Sequence, residues 1–222
     1  MAETKEVQAI QNVVEKIENF IEENKQAVLI GGGVLVVVVL AALFVWLKWL
    51  PEQNLKAERE MFQAEFAFQK DSFDLALNGN GINKGFLEIQ KKYSFTKAAN
   101  LSNYYIGLCY LNTGKFEDAI KYLDKYSTSD PILGGVKLNA IGDAYSELNK
   151  VADAEKYYTK AVEFSDNSQF TPYYLLKLGQ YLESQKKFKE AIEKYETVKT
   201  KYPASEEGRE AERYIARATA QL

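Results

Sequence analysis

From Ala27 to Leu47 the chain holds twenty-one consecutive residues without a polar or charged side chain. No other feature restricts its possible structures as much. Wound as a helix at ~1.5 Å per residue, the run is roughly 31 Å long, matching the ~30 Å hydrocarbon core of a bilayer. A buried helix of a globular protein carries an apolar stripe rather than an apolar surface all the way round. A cleaved signal sequence has a short basic leader and a small-residue cleavage site. Here the 26 preceding residues carry six Glu against three Lys, and the run leads into Trp46-Leu47-Lys48-Trp49. The expectation is an uncleaved membrane anchor over 27–50. Trp46 and Trp49 suit headgroup depth, with Lys48 snorkelling outward between them. Pro51 then opens the next helix. Lys16 and Lys25 precede the span and Lys48, Lys56 and Arg59 follow it, so flanking charge leaves the orientation open.

Residues 1–26 read as an amphipathic segment. Val7, Ile10, Val14, Ile17 and Ile21 recur at intervals of three and four, and Val13 and Phe20 widen the stripe. The polar face carries Glu3, Glu6, Glu15, Glu18, Glu22 and Glu23, the wrong sign for an anionic membrane surface. Two readings stand: a face that meets a protein, and a solvated extension of the anchor.

From residue 100 onward the chain repeats itself. Ile106-Gly107 with Tyr110, Ile141-Gly142 with Tyr145, and Leu178-Gly179 with Tyr181 lie 35 and 37 residues apart. Each is followed by an apolar residue and an alanine: Phe116 and Ala119, Val151 and Ala154, Phe188 and Ala191. Four residues after each alanine comes Leu123, Tyr158 or Tyr195, and Pro131 and Pro203 close the first and third units. This pattern resembles the tetratricopeptide repeat, which implies stacked helical hairpins. Gly107, Gly142 and Gly179 then belong where two antiparallel helices approach most closely, with Ala119, Ala154 and Ala191 as the small residues opposite. Gly114 and Asn149 fall in the turns, at positions suited to left-handed backbone.

The fold class expected is all-α: an N-terminal amphipathic helix, a single transmembrane helix, then a tetratricopeptide-repeat α-solenoid. The units run about 100–133, 135–168 and 172–205 within a repeat region of 98–205, and 206–222 makes a capping helix with a polar outer face. Residues 51–97 read as an emerging helix and a degenerate first repeat. There Leu55, Phe62, Phe66, Phe73 and Leu77 share one helical face, Asn78-Gly79-Asn80-Gly81 breaks it, and Phe86, Ile89 and Tyr93 mark a second short helix.

Catalysis has little to rest on. Histidine is absent, Cys109 is the one cysteine, and the net charge of −3 counts against a nucleic-acid binder. No phosphate loop, paired-carboxylate motif or nucleophile elbow occurs, so neither enzyme, cofactor nor metal is expected. Cys109 reads as a small buried apolar residue and the fifteen tyrosines as core. Function in such a solenoid is expected on the concave face lined by the first helix of each repeat. That face should include Leu101, Tyr104, Leu108 and Leu111, then Val136, Asn139, Asp143 and Ser146, then Tyr173, Leu176 and Gln180. An apolar and aromatic patch beside Asn and Gln suits an extended or helical peptide. Tyr104, Leu108 and Asp143 do not match the Lys/Asn set with which some members of the family clamp a C-terminal carboxylate.

The order of segments, with AANLSNYYIGLCYLNTGKFEDAI and AIGDAYSELNKVADAEKYY among its repeats, is similar to the YfgM-type ancillary subunits of the bacterial Sec translocon. That resemblance implies an inner-membrane protein with a cytoplasmic N-terminus and periplasmic repeats. The partners it implies are the SecYEG translocon, a PpiD-type periplasmic prolyl isomerase and translocating polypeptides. The alternative is a structural scaffold for another cell-envelope assembly complex.

Overall fold

The computed structural model describes residues 2–165 and 167–222, leaving out the side chains of residues 2–10. Glu3, Glu6, Val7 and Ile10 of the expected amphipathic face therefore lie outside the described side chains. The chain divides into two units, Met1–Gln53 and Asn54–Leu222.

In the first unit, α1 (Ala2–Glu23) is followed by α2 (Lys25–Phe44), a π-helical turn at Val45–Trp49 and the start of α3 (Leu50–Gln69). Asn24 separates α1 from α2, and its Nδ2 donates to the Phe20 carbonyl at 3.0 Å. No residue of α2 is buried, and this stretch is long and apolar enough to cross a membrane. Val13, Val14, Ile17, Phe20 and Ile21 on α1 are also exposed.

The second unit takes in most of α3, then α4 (Phe73–Asn78), α5 (Phe86–Lys92), α6 (Lys97–Asn112), α7 (Phe116–Lys125), α8 (Pro131–Glu147), α9 (Val151–Ser165), α10 (Thr171–Ser184), α11 (Phe188–Lys201) and α12 (Glu206–Thr219). From α6 on, the helices pair as antiparallel hairpins, α6/α7, α8/α9 and α10/α11, and α12 packs on α11 and α10. Short-range chemistry fixes the starts and turns. Thr96 caps α6 by accepting from Ala99 N at 3.1 Å, Asp130 caps α8 by accepting from Ile132 N and Leu133 N, and Ser205 caps α12 by accepting from Gly208 N. Each cap contributes about 1 kcal/mol. The hairpin turns contain left-handed residues at Gly114 (φ 74°), Asn149 (φ 56°) and Lys186 (φ 62°). The first two follow from residue type, whereas a lysine there does not.

The core is laid down as a row of clusters rather than one centre. Met61, Phe86, Ile89, Ile106 and Cys109 form the first; Tyr104, Leu123, Tyr126 and Ile141 the second; Tyr158, Leu178, Leu182 and Tyr195 the third. Neighbouring repeats thus depend on each other for burial, as in other solenoids.

Two expectations need correction. The helix expected over 55–77 is broken at Lys70–Ser72, where Asp71 has φ 56°. Phe73 and Leu77 of the expected face pack into the first core cluster, but within α3 the buried face is the other one. Ala57, Met61, Ala64 and Ala67 are buried, while Leu55, Phe62 and Phe66 are 47, 62 and 47% exposed. The small face is preferred because α3 and α6 lie close: Asn54 Oδ1 accepts from Ala98 N at 3.0 Å, and Ser102 Oγ lies 3.4 Å from Met61 Sδ. A row of phenylalanines would hold the helices apart. The second correction concerns Pro131, which opens α8 as its first-turn residue behind the Asp130 cap instead of closing the preceding unit. The second repeat accordingly starts near 131, not 135.

Candidate partner-binding surface

The first helices of the three hairpins, α6, α8 and α10, carry the residues expected to face inward. On α6, Leu101, Leu108 and Leu111 are half-buried and, with Val136 of α8 and buried Tyr104, pack against Leu123, Tyr126, Ala140 and Ile141. Asn139 is buried and Asp143 half-buried, their side chains joined at 3.3 Å on α8. Ser146 is half-buried. On α10, Leu176 packs into the third cluster, while Tyr173 and Gln180 stand exposed. The structure therefore gathers the α6 leucines and Val136 into one apolar group and Asn139 with Asp143 into a polar one. Trp46, Lys48 and Trp49 lie in the π-helical turn of the other unit.

The close approaches are clear in geometric terms. A Cβ on Gly107 would come within 2.5 Å of Leu123 Cγ, and one on Gly142 within 2.8 Å of the Tyr158 ring. A Cβ on Gly179 would run into the Tyr195 ring. Ala119, Ala154 and Ala191 on the facing helices are fully buried.

A repeated polar clamp links successive repeats. Asp143 accepts from the Tyr158 hydroxyl of α9 at 2.6 Å and from Lys177 Nζ of α10 at 2.7 Å. Glu183 of α10 accepts from the Tyr195 hydroxyl of α11 at 2.8 Å and from Arg217 Nε and Nη2 of α12, both at 2.8 Å. In each case the cation lies 34 residues after the carboxylate, one repeat further on. Asp143 follows Gly142 by one residue, and Glu183 follows Gly179 by four. The same two offsets from Gly107 are Leu108 and Leu111, so the first hairpin replaces the clamp with hydrocarbon. Sequence reasoning missed Lys177, Glu183 and Arg217; the 34-residue spacing of carboxylate and cation was the available signal. Burial and the neighbouring Asp143 charge raise the Tyr158 phenol above its ordinary pKa, and burial with Glu183 does the same for Tyr195. Hydrogen bonds from Arg217 hold Glu183 below the usual carboxylate range, against the opposing effect of burial. The negative charge expected on the inward face at Asp143 is thus matched within the solenoid.

Beside this surface lies a recess of about 510 Å³, bounded by Asp124, Ser127, Lys137, Lys160 and Phe164. None of the expected inward-facing residues lines it. Lys137 Nζ donates to the Tyr126 carbonyl at 2.7 Å, and burial lowers its pKa. Cys109 is fully buried, and desolvation pushes its thiol up to about 12. Among the described residues, no group of three metal-ligating side chains comes together.

Comparison with known proteins agrees with this architecture. Residues 102–131 and 139–206 match two models of the tetratricopeptide repeat. A search of curated proteins found no match. Two solved structures, of nearly identical TPR-like repeats ascribed to a kinesin light chain of Podosopora anserina and of a point variant of the same repeats, superpose with a TM-score of 0.58. Each is 14% identical and covers 75% of this chain and 86% of the other, a likeness of fold alone. Residues 102–131 and 139–206 thus carry tetratricopeptide repeats, and their helical hairpins make a TPR-like solenoid, a fold that serves as a protein-protein interaction module.

Proposed function

We propose that this protein is a single-pass ancillary subunit of the bacterial Sec translocon. It sits in the inner membrane with residues 1–26 in the cytoplasm and the repeats in the periplasm, linking SecYEG to a PpiD-type prolyl isomerase and to emerging polypeptides. The observation that carries this reading is the wholly exposed apolar helix Lys25–Phe44 on the same chain as a stack of interaction repeats. An apolar helix of that length is stable in lipid and not in water. The resemblance of segment order and repeat sequence to YfgM-type subunits supplies the partners. The mechanism is passive: the anchor confines the solenoid to the channel exit, which raises the local concentration of its binding surface without any turnover. Tetratricopeptide solenoids are typically non-catalytic, and the clamps above use their carboxylates to join repeats. Affinity capture of the full-length protein from gently solubilised membranes tests the reading. SecYEG and the isomerase are expected to copurify; a cell-envelope complex lacking both supports the scaffold reading instead and overturns this one. A thiol introduced near residue 78 should be labelled from the periplasmic side.

A further inference from the structure

The repeats leave one face of α3 exposed and unused. We infer that it is covered by α3 of a second copy of this chain, the two helices running parallel. Leu55, Phe62 and Phe66 are 47, 62 and 47% exposed and, with Arg59 and Gln69, follow the alternating three- and four-residue spacing of a coiled-coil seam. The flanks of that seam differ in charge. Glu58 and Glu65 lie along one side, and Lys56 and Lys70 along the other, with Lys70 Nζ 4.1 Å from the centre of the Phe66 ring. In a parallel pair each helix sets one flank against the other flank of its mate, five residues on, which brings Glu65 to Lys70 of the second copy twice over. Glu65 is ready for such a partner: it forms no ion pair among the described residues, and burial with the Glu58 charge raises its pKa. An antiparallel pair lacks this match, and an anionic lipid surface would repel the Glu58/Glu65 flank.

The parallel sense rests on the Glu65–Lys70 match, and the membrane insertion proposed above places α3 of both copies on the same side of one bilayer. Confinement to one bilayer also raises the effective concentration that a seam of two heptads needs. Independently, α1 exposes Val14 and Ile21 at one seam position and Ile17 at the other, with Val13 and Phe20 beside them. Glu15, Glu22 and Glu23 lie away from that seam, and Glu18 flanks it opposite the Val13 and Phe20 side of a parallel mate.

The test uses the full-length protein in membranes already washed at alkaline pH, so that loss of insertion and loss of pairing are separate results. Phe62→Cys should form a disulfide-linked dimer under mild oxidation, whereas Lys91→Cys on exposed α5 should not. In detergent, Glu65→Lys and Lys70→Glu should each raise the dimer dissociation constant about tenfold. Mixing the two variants should restore association, because each then supplies what the other lacks. Phe62→Glu with Phe66→Glu should give one copy per micelle with unchanged helical circular dichroism. A membrane-inserted protein that is monomeric by mass, a dimer that survives the double glutamate variant, or two charge variants that fail to rescue each other would overturn the inference.

Discussion

Removing the Glu183 carboxylate should cost more than the loss of an ion pair, and the excess is the part worth measuring. Glu183 holds three bonds of 2.8 Å, one from the Tyr195 hydroxyl and two from Arg217. The Arg217 side chain is 53% exposed, so its pairing contributes at most about 1 kcal/mol after solvent screening. Tyr195 is fully buried, and its hydroxyl would be left without an acceptor in Glu183→Ala, at about 1–3 kcal/mol. Together the loss is about 3 kcal/mol. Tyr195→Phe alone should cost about 1 kcal/mol, because Arg217 still pairs with Glu183. In the Glu183→Ala background the same change should instead recover up to about 1 kcal/mol, since no hydroxyl remains to be stranded. The double-mutant cycle therefore predicts a coupling of about 1–2 kcal/mol. Urea unfolding of the full-length protein in mild detergent, followed by circular dichroism, measures it. Single changes that simply add, within about 0.5 kcal/mol, would refute the clamp as a coupled unit.

Three further outcomes follow from the packing and the buried phenols. Gly142→Leu should lower stability by about 3 kcal/mol because it drives atoms into the Tyr158 ring, whereas Gly114→Ala, with open space around it, should lose about 1 kcal/mol through its φ of 74° alone; thermal melts separate the two. Tyr104 and Tyr174 have phenol pKa values raised by burial to about 12, so the stability they confer is complete below ~10 and lost as the pH climbs from there; absorbance at 295 nm should show these tyrosines ionising after the exposed ones, together with unfolding. Cys109 should resist a thiol reagent at pH 8 and react fully once the chain is denatured; fast reaction of the native protein would contradict its burial.

The helical hairpins could be read from the sequence because their constraints are local. Gly142 and Ala154 mark a close approach, and Asn149 marks a turn, each by residue type alone. Lys186 carries no such mark, since its left-handed backbone is imposed by the hairpin around it. The α3 face was misjudged for a related reason: periodicity finds the largest side chains, but Asn54 and Met61 show that the neighbouring helix chose the smallest. The expected inward surface was legible as a set of positions on α6, α8 and α10. What it could not convey was that Leu101, Leu108 and Leu111 are drawn into packing with Tyr126 and Ile141, or that Asp143 is matched by Lys177 a full repeat away. Such pairings join residues about 34 apart and become visible only once the hairpins are stacked.

The account stands on a solenoid held to lipid by α2, and alkaline carbonate extraction of membranes containing the full-length protein tests that most directly. Retention of the chain in the membrane pellet, with loss to the supernatant once residues 27–47 are deleted, is the predicted result. Release of the intact chain into the aqueous fraction would contradict it.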